Sequence, residues 1–224
     1  LSQNKKVFIA TPNYSGNVCA SYLIAMAETF RLSNKYDVDL NLELWMHESL
    51  VQKARNNLFT KAYLNGYDEI VFIDDDQGFT AEAFYSLLSH DVDVVGYPVR
   101  MKTEEERYNI RPENYDSHTF DASLNLLEVE NIGTGFLRIN RKAMEVLWEN
   151  SETYNSDGKE QRMICNLQVI NGGLISEDIQ ICTKLRDNDI KIYADMNYTC
   201  SHYGTKCFEG SFLKSYVLNK LEKK

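Results

Sequence analysis

Apolar residues in the first half of the chain recur in two rhythms. Residues 6–10 (KVFIA) form a short apolar run that stops at Thr11-Pro12-Asn13, which predicts a strand and then a loop. Residues 17–32 carry a helical period, and 38–46 (VDLNLELWM) alternate as a half-buried strand does. Ser49 is placed to cap a helix that stops near Gly66. Residues 69–73 (EIVFI) predict a buried strand running straight into Asp74-Asp75-Asp76. Thr80 is the next expected N-cap, and 92–99 (VDVVGYPV) closes the series. Alternation of this kind predicts an α/β fold, with largely parallel strands and helices on both faces.

The second half is less regular. Residues 100–122 and 150–160 are polar and predict loops. Residues 124–140 suggest a pair of strands around Asn131-Ile132-Gly133-Thr134-Gly135. A short helix is expected over 141–148, a helix over 177–188, a strand over 191–196 and a terminal amphipathic helix over 211–221. No repeat or low-complexity linker divides the chain, so one domain over 1–224 is expected.

Composition narrows the classes. With 224 residues the chain can bury a full core, and three prolines and eleven glycines argue against disorder. Lys and Arg number 24 against 33 Asp and Glu, a net charge of −9 with no basic stripe, which disfavours nucleic acid and anionic membranes as partners. Five cysteines, an odd number without CxxC spacing, read as reduced thiols and predict a cytoplasmic location. No apolar stretch approaches the ~20 residues of a membrane span and no signal peptide is visible. A start at Leu1 suggests a piece of a longer protein.

The chemistry gathers at strand ends. Ligands of open α/β sheets collect beyond the carboxyl ends of strands, and three aspartates occupy such an end at 74–76. Alternation along a strand predicts that Asp74 and Asp76 share a direction while Asp75 points away. Two carboxylates on one side favour a hard divalent ion, Mn²⁺ or Mg²⁺, with a bridging phosphate. The alternative is a solvated acidic turn capping the next helix. Arg55 falls inside the apolar arc of its helix, where it either snorkels or meets an anion: an aspartate of the triplet or a ligand phosphate. Glu177-Asp178 opens a helix, a position that dipole effects alone also favour. His202 follows the last predicted strand, a setting that His47, His90 and His118 lack.

In this order the motifs resemble those of GT-A glycosyltransferases, including small bacterial and viral members and the fungal mannosyltransferase group. The matching pieces are VFIATPNY, Asp74-Asp75-Asp76, GTGFLRINR at 133–141, Glu177-Asp178 and His202, spread over residues 5–204. The resemblance implies a nucleotide-binding half over 1–100 and an acceptor half over 101–224. Asp76 and His202 would hold the metal, with Asp74 on the ribose or reaching the metal through water. Thr11, Pro12 and Tyr14 would line the base pocket. Arg55, Asp75, Gly133, Gly135 and Glu177 would attend the nucleotide sugar. Asp178 would be the general base of an inverting transfer from a UDP-sugar to a glycan or glycoprotein hydroxyl. Two alternatives are a non-catalytic nucleotide-sugar or glycan-binding module and a sugar nucleotidyltransferase. The loop at 11–17 lacks the Gly cluster and basic residue that the latter would carry.

Overall fold

Side-chain alternation on the central strands sorts the apolar residues into two cores, one on each face of a sheet. In the computed structural model, which describes residues 4–112, 120–121 and 123–222, Phe8, Ala10, Ile70 and Phe72 join one cluster. Their neighbours Val7, Ile9, Val71 and Ile73 join the other. His118 lies outside the described residues.

The elements run β1 (Lys5–Asn13), α1 (Ala20–Leu32), a 3₁₀ turn (Ser33–Tyr36), β2 (Val38–Met46), α2 (Val51–Leu64), β3 (Glu69–Ile73), β4 (Gln77–Gly78), α3 (Ala81–Ser89) and β5 (Val94–Gly96). They continue through β6 (Ile110–Pro112), β7 (Phe120–Asp121), β8 (Leu126–Ile132), β9 (Phe136–Asn140), α4 (Arg141–Glu149), β10 (Thr153–Ser156) and β11 (Lys159–Arg162). The remainder is β12 (Gln168–Ile170), β13 (Gly173–Ile175), α5 (Glu177–Arg186), β14 (Ile192–Asp195), β15 (Ser201–Tyr203), β16 (Cys207–Phe208) and α6 (Phe212–Glu222).

Nine strands make the main sheet, in the order β2-β1-β3-β9-β5-β14-β8-β6, with β7 beside β8. Strands β1, β2, β3, β5 and β14 point one way, while β9 and β8 run against them. The expected pair over 124–140 therefore exists, but not as a hairpin. Strand β8 pairs with β14, and β9 inserts between β3 and β5. Arg138 of β9, fully buried, reaches Glu69 at 3.3 Å and the carbonyls of Val92 and His90 at 2.8 Å each, stitching three neighbouring segments together.

Several local expectations shift. The N-cap of α2 is Leu50, not Ser49, and no side chain caps the first turn; Glu48 Oε1 accepts the Leu50 N–H at 3.2 Å just ahead of it. Helix α1 starts at Ala20, where the Cys19 thiol accepts from the Tyr22 N–H. Thr80 does cap α3, its hydroxyl accepting from the Ala83 N–H at 3.2 Å, a contact worth about 1 kcal/mol. The expected loops at 100–122 and 150–160 hold short strands: β6 and β7 pair with β8 of the main sheet, and β10–β11 is a separate two-stranded hairpin. All five cysteines are free thiols. Among the described residues, no helix is long and apolar enough to cross a membrane.

Candidate active site

Strand β3 is buried along its whole length and delivers the aspartates at its carboxyl end. There the chain stops being extended: the Gln77 N–H donates to the Asp74 carbonyl at 3.2 Å and closes a turn. The alternation expected for Asp74–Asp76 therefore fails, since side chains follow the pleat only while the strand lasts. All three aspartates instead line one cavity of about 330 Å³, together with Pro12, Tyr14, Ser15, Glu48, Ser49 and Val51.

Different cations hold the two outer aspartates. Arg55, projecting from α2 and 4% exposed, donates to Asp74 Oδ1 at 2.8 Å and to Glu177 Oε1 at 2.9 Å. Burial opposes its charge, but Asp74 and Glu177 keep it firmly protonated. The guanidinium thus ties the acidic turn to the first residue of α5. Asp74 also has its amide on the Gly135 carbonyl at 3.0 Å, and a Cβ on Gly135 would stand only 3.2 Å from Asp74 Oδ2. Gly135 allows that close approach.

Asp76 faces His202 and Lys102. Its Oδ1 lies 3.3 Å from His202 Nε2, and Lys102 Nζ donates to its Oδ2. Burial pushes the Asp76 carboxyl up, yet His202 and Lys102 outweigh it and hold the group below the usual carboxylate value. Backbone pairing fixes this contact, because β15 lies antiparallel to β4 with His202 opposite Gln77. The Tyr203 N–H also donates to the Asp76 carbonyl at 2.9 Å. Asp75 has no such cation, and its pKa is pushed up to about 6 by burial, then by Asp76 and Asp74.

These residues fit a divalent ion at Asp76 and His202, and fit it less well at Asp74. His202 Nδ1 sits 2.7 Å from the Arg100 carbonyl, to which it can donate, so Nε2 is the nitrogen that faces Asp76 and the one that would turn its lone pair to an ion. Two ligands of one small ion stand ~3 Å apart, close to the separation here. Asp74 Oδ1 is engaged by Arg55, one of the two partners the sequence left open for that arginine. Among the described residues no cluster of three or more His, Cys, Asp or Glu could hold an ion. A Mg²⁺-like ion commonly takes one or two protein carboxylates and fills its remaining positions with phosphate and water.

Other expected residues separate. Pro12 and Tyr14 line the cavity, and the Tyr14 ring is 68% exposed. Thr11 does not: it is fully buried, with its hydroxyl 2.6 Å from the Tyr22 hydroxyl. Gly133 faces the Asn109 side chain, where a Cβ would come within 1.8 Å of Nδ2, so its smallness serves packing. Asp178 Oδ1 accepts from the Ser176 hydroxyl and from the Ile179 N–H at 2.8 Å, leaving Oδ2 outside both bonds. Sequence reading missed Lys102 and Glu48. Lys102 sits in a loop that resembles nothing, and Glu48 precedes a helix as an unremarkable acidic residue.

No family model and no curated protein matches the chain. Among solved structures, A197 from STIV is similar over 89% of this chain and 86% of that one, at 16% identity and a TM-score of 0.53. The two chains share a fold. Looser likenesses extend to the first 349 residues of S. aureus TarS in complex with UDP-GlcNAc. That comparison covers 94% of this chain and 61% of that one, at 14% identity and a TM-score of 0.48. A mutant Drosophila beta-1,4-galactosyltransferase 7 complexed with manganese, UDP-Gal and xylobiose covers 87% and 66%, at 12% identity and a TM-score of 0.46. A shared fold by itself does not fix chemistry, which rests on the side chains gathered at the acidic cavity.

Proposed function

We propose that this chain is a glycosyltransferase. It takes a nucleoside diphosphate sugar, with UDP favoured as carrier, and transfers the sugar to a hydroxyl of a glycan or glycoprotein acceptor. The observation that carries this reading is the convergence of Asp76 Oδ1 and His202 Nε2 at 3.3 Å, with Asp76 lining an acidic cavity. A cavity so acidic accepts a diphosphate only with a cation. Mn²⁺ or Mg²⁺ held by Asp76 and His202 would neutralise the departing diphosphate.

The chain's own residues supply the rest. Pro12 and the exposed Tyr14 ring offer apolar surface to a nucleobase. Arg55 fixes Asp74 on the donor side and Glu177 at the start of α5, so the donor and acceptor walls keep one spacing. In the inverting reaction the acceptor oxygen forms a bond to the anomeric carbon as the bond from that carbon to the phosphate oxygen breaks. The nucleoside diphosphate leaves with the electron pair, and Asp178 takes the acceptor's proton through the carboxylate oxygen not held by Ser176 and Ile179. The competing reading is a module that binds a nucleotide sugar without turnover. It draws on Lys102, which already supplies Asp76 with a positive partner.

A panel of UDP- and GDP-sugars, screened for thermal stabilisation with and without Mn²⁺ and then for donor hydrolysis, tests the proposal. Donor-specific stabilisation that needs the metal, together with release of UDP, is expected. Stabilisation without any turnover, even with glycan acceptors added, would favour the binding module. A panel that shifts nothing would remove both.

A further inference from the structure

The outer face of α2 carries a second cavity, of about 570 Å³, between that helix, the end of β2 and the β10–β11 hairpin. None of its lining residues lines the acidic cavity. The geometry points to a binding site for a neutral oligosaccharide, with Trp45 as the apolar platform and Asn57, Thr60, Asn65 and Gln161 as the hydroxyl partners.

Three observations support this occupant. The first is the mixture on the wall: one indole beside three carboxamides and a hydroxyl. Carboxamides both donate and accept, as sugar hydroxyls do, and an aromatic ring takes the apolar C–H face of a pyranose. The second is Gln161, which is 8% exposed and whose Oε1 is buried without a hydrogen-bond partner. An unpaired buried acceptor costs about 1–3 kcal/mol, and the terminal amide torsion of Gln is soft enough to turn toward a hydroxyl brought into the cavity. Thr60 is suited to the same role, since its oxygen accepts the Arg162 N–H at 3.0 Å and its own hydrogen remains to be given. The third is the charge. Of the three charged groups on the wall, Lys61 is paired with Glu43 from outside it, which leaves one lysine and one glutamate, too little positive charge to select a phosphate. The volume lies within the ~300–1,000 Å³ usual for small-ligand sites.

Occupancy of this cavity does not require the acidic cavity to work, so the two readings fail separately. The two tryptophans of the chain differ in setting. Trp148 is stacked on Tyr63 at 4.2 Å and covered by the Arg162 guanidinium at 4.5 Å, whereas Trp45 lines the cavity. In a Trp148→Phe protein, Trp45 is the sole indole reporter. Titrating that protein with maltotriose, cellotriose, xylobiose and N,N′-diacetylchitobiose should change its emission saturably with at least one sugar. Gln161→Leu should weaken that binding at least tenfold, and so should Leu64→Arg, which places a bulky side chain at the exposed rim. UDP with Mn²⁺, followed by thermal shift in the same variants, reports the acidic cavity and should be unchanged. The inference is overturned if none of the four sugars perturbs Trp45 up to 50 mM (about the weakest affinity worth calling a site). It is equally overturned if both variants bind as the parent does, or if inorganic phosphate gives the saturable response instead.

Discussion

Arg55 donates to Asp74 at 2.8 Å from a position that is 4% exposed, so the first aspartate of the acidic turn is anchored from inside the core. The same guanidinium reaches Glu177, which is 122 positions away in the chain. Breaking a buried ion pair by removing one partner costs roughly 3–5 kcal/mol. Asp74 and Glu177 keep some contact with solvent, so the low end applies. Arg55→Met should therefore destabilise the fold by about 3 kcal/mol in urea unfolding. Arg55→Lys, which cannot span both carboxylates in one plane, should recover less than half of that loss.

Lys102 would compete with the proposed divalent ion for Asp76. Removing its charge should make the site a better metal ligand, because one carboxylate oxygen then loses its resident cation. Lys102→Gln is expected to bind Mn²⁺ several-fold more tightly than the parent, measured by EPR of free Mn²⁺ without any substrate. Equal or weaker binding would mean that Lys102 does not occupy a coordination position.

Asp75 carries the clearest pH signature. Its pKa is about 6 in the folded chain against the ordinary 3.8, so between those values the folded state holds a proton that the unfolded state has released. Stability from this group is whole below pH 3.8, falls as pH rises, and stays low above about 6. Asp75→Asn should thus be more stable than the parent at pH 7.5, by about 2 kcal/mol after allowing for partial exposure, and equal to it near pH 4. Denaturant midpoints at the two pH values check the sign.

Asp178→Asn should lower transfer by a factor of about 10²–10⁴ while donor-dependent thermal stabilisation stays within twofold. Transfer at the parental rate would remove Asp178 as the base and leave Glu177, already engaged by Arg55, as a second carboxylate to examine.

The strands that carry the site could be read from the chain because they are continuous apolar runs bounded by turn residues: 6–10, 69–73 and 191–196 all fall on β1, β3 and β14. The order of the sheet could not. Strand β9 has the same periodicity whether it pairs with β8 or enters between β3 and β5, and only tertiary packing around Arg138 decides. At the site, Asp76 was legible as an acidic residue just past the end of β3, whereas His202 lies inside β15, a three-residue strand too short and polar to show in the pattern. Lys102 was hidden because a lone lysine in a polar loop has no pattern around it. The turn after Ile73, which redirects Asp74 and Asp76, is closed by the Gln77 N–H on the Asp74 carbonyl and held by backbone bonds to Cys19, Gly135 and Tyr203, none of which leaves a periodic trace.

The pairing of β15 with β4 bears on how this site can change. Asp76 and His202 meet because their main chains are laced together on adjacent strands, with Ser201 opposite Gly78 and His202 opposite Gln77. The meeting point is thus written in amide groups common to every residue, and the side chains mounted on it are interchangeable parts. Replacing His202 with Asp, or Asp76 with His, retunes the hardness of the donors without asking the frame to move. For the ion proposed at this pair, preference could therefore drift by single substitutions, each leaving the backbone register as it was.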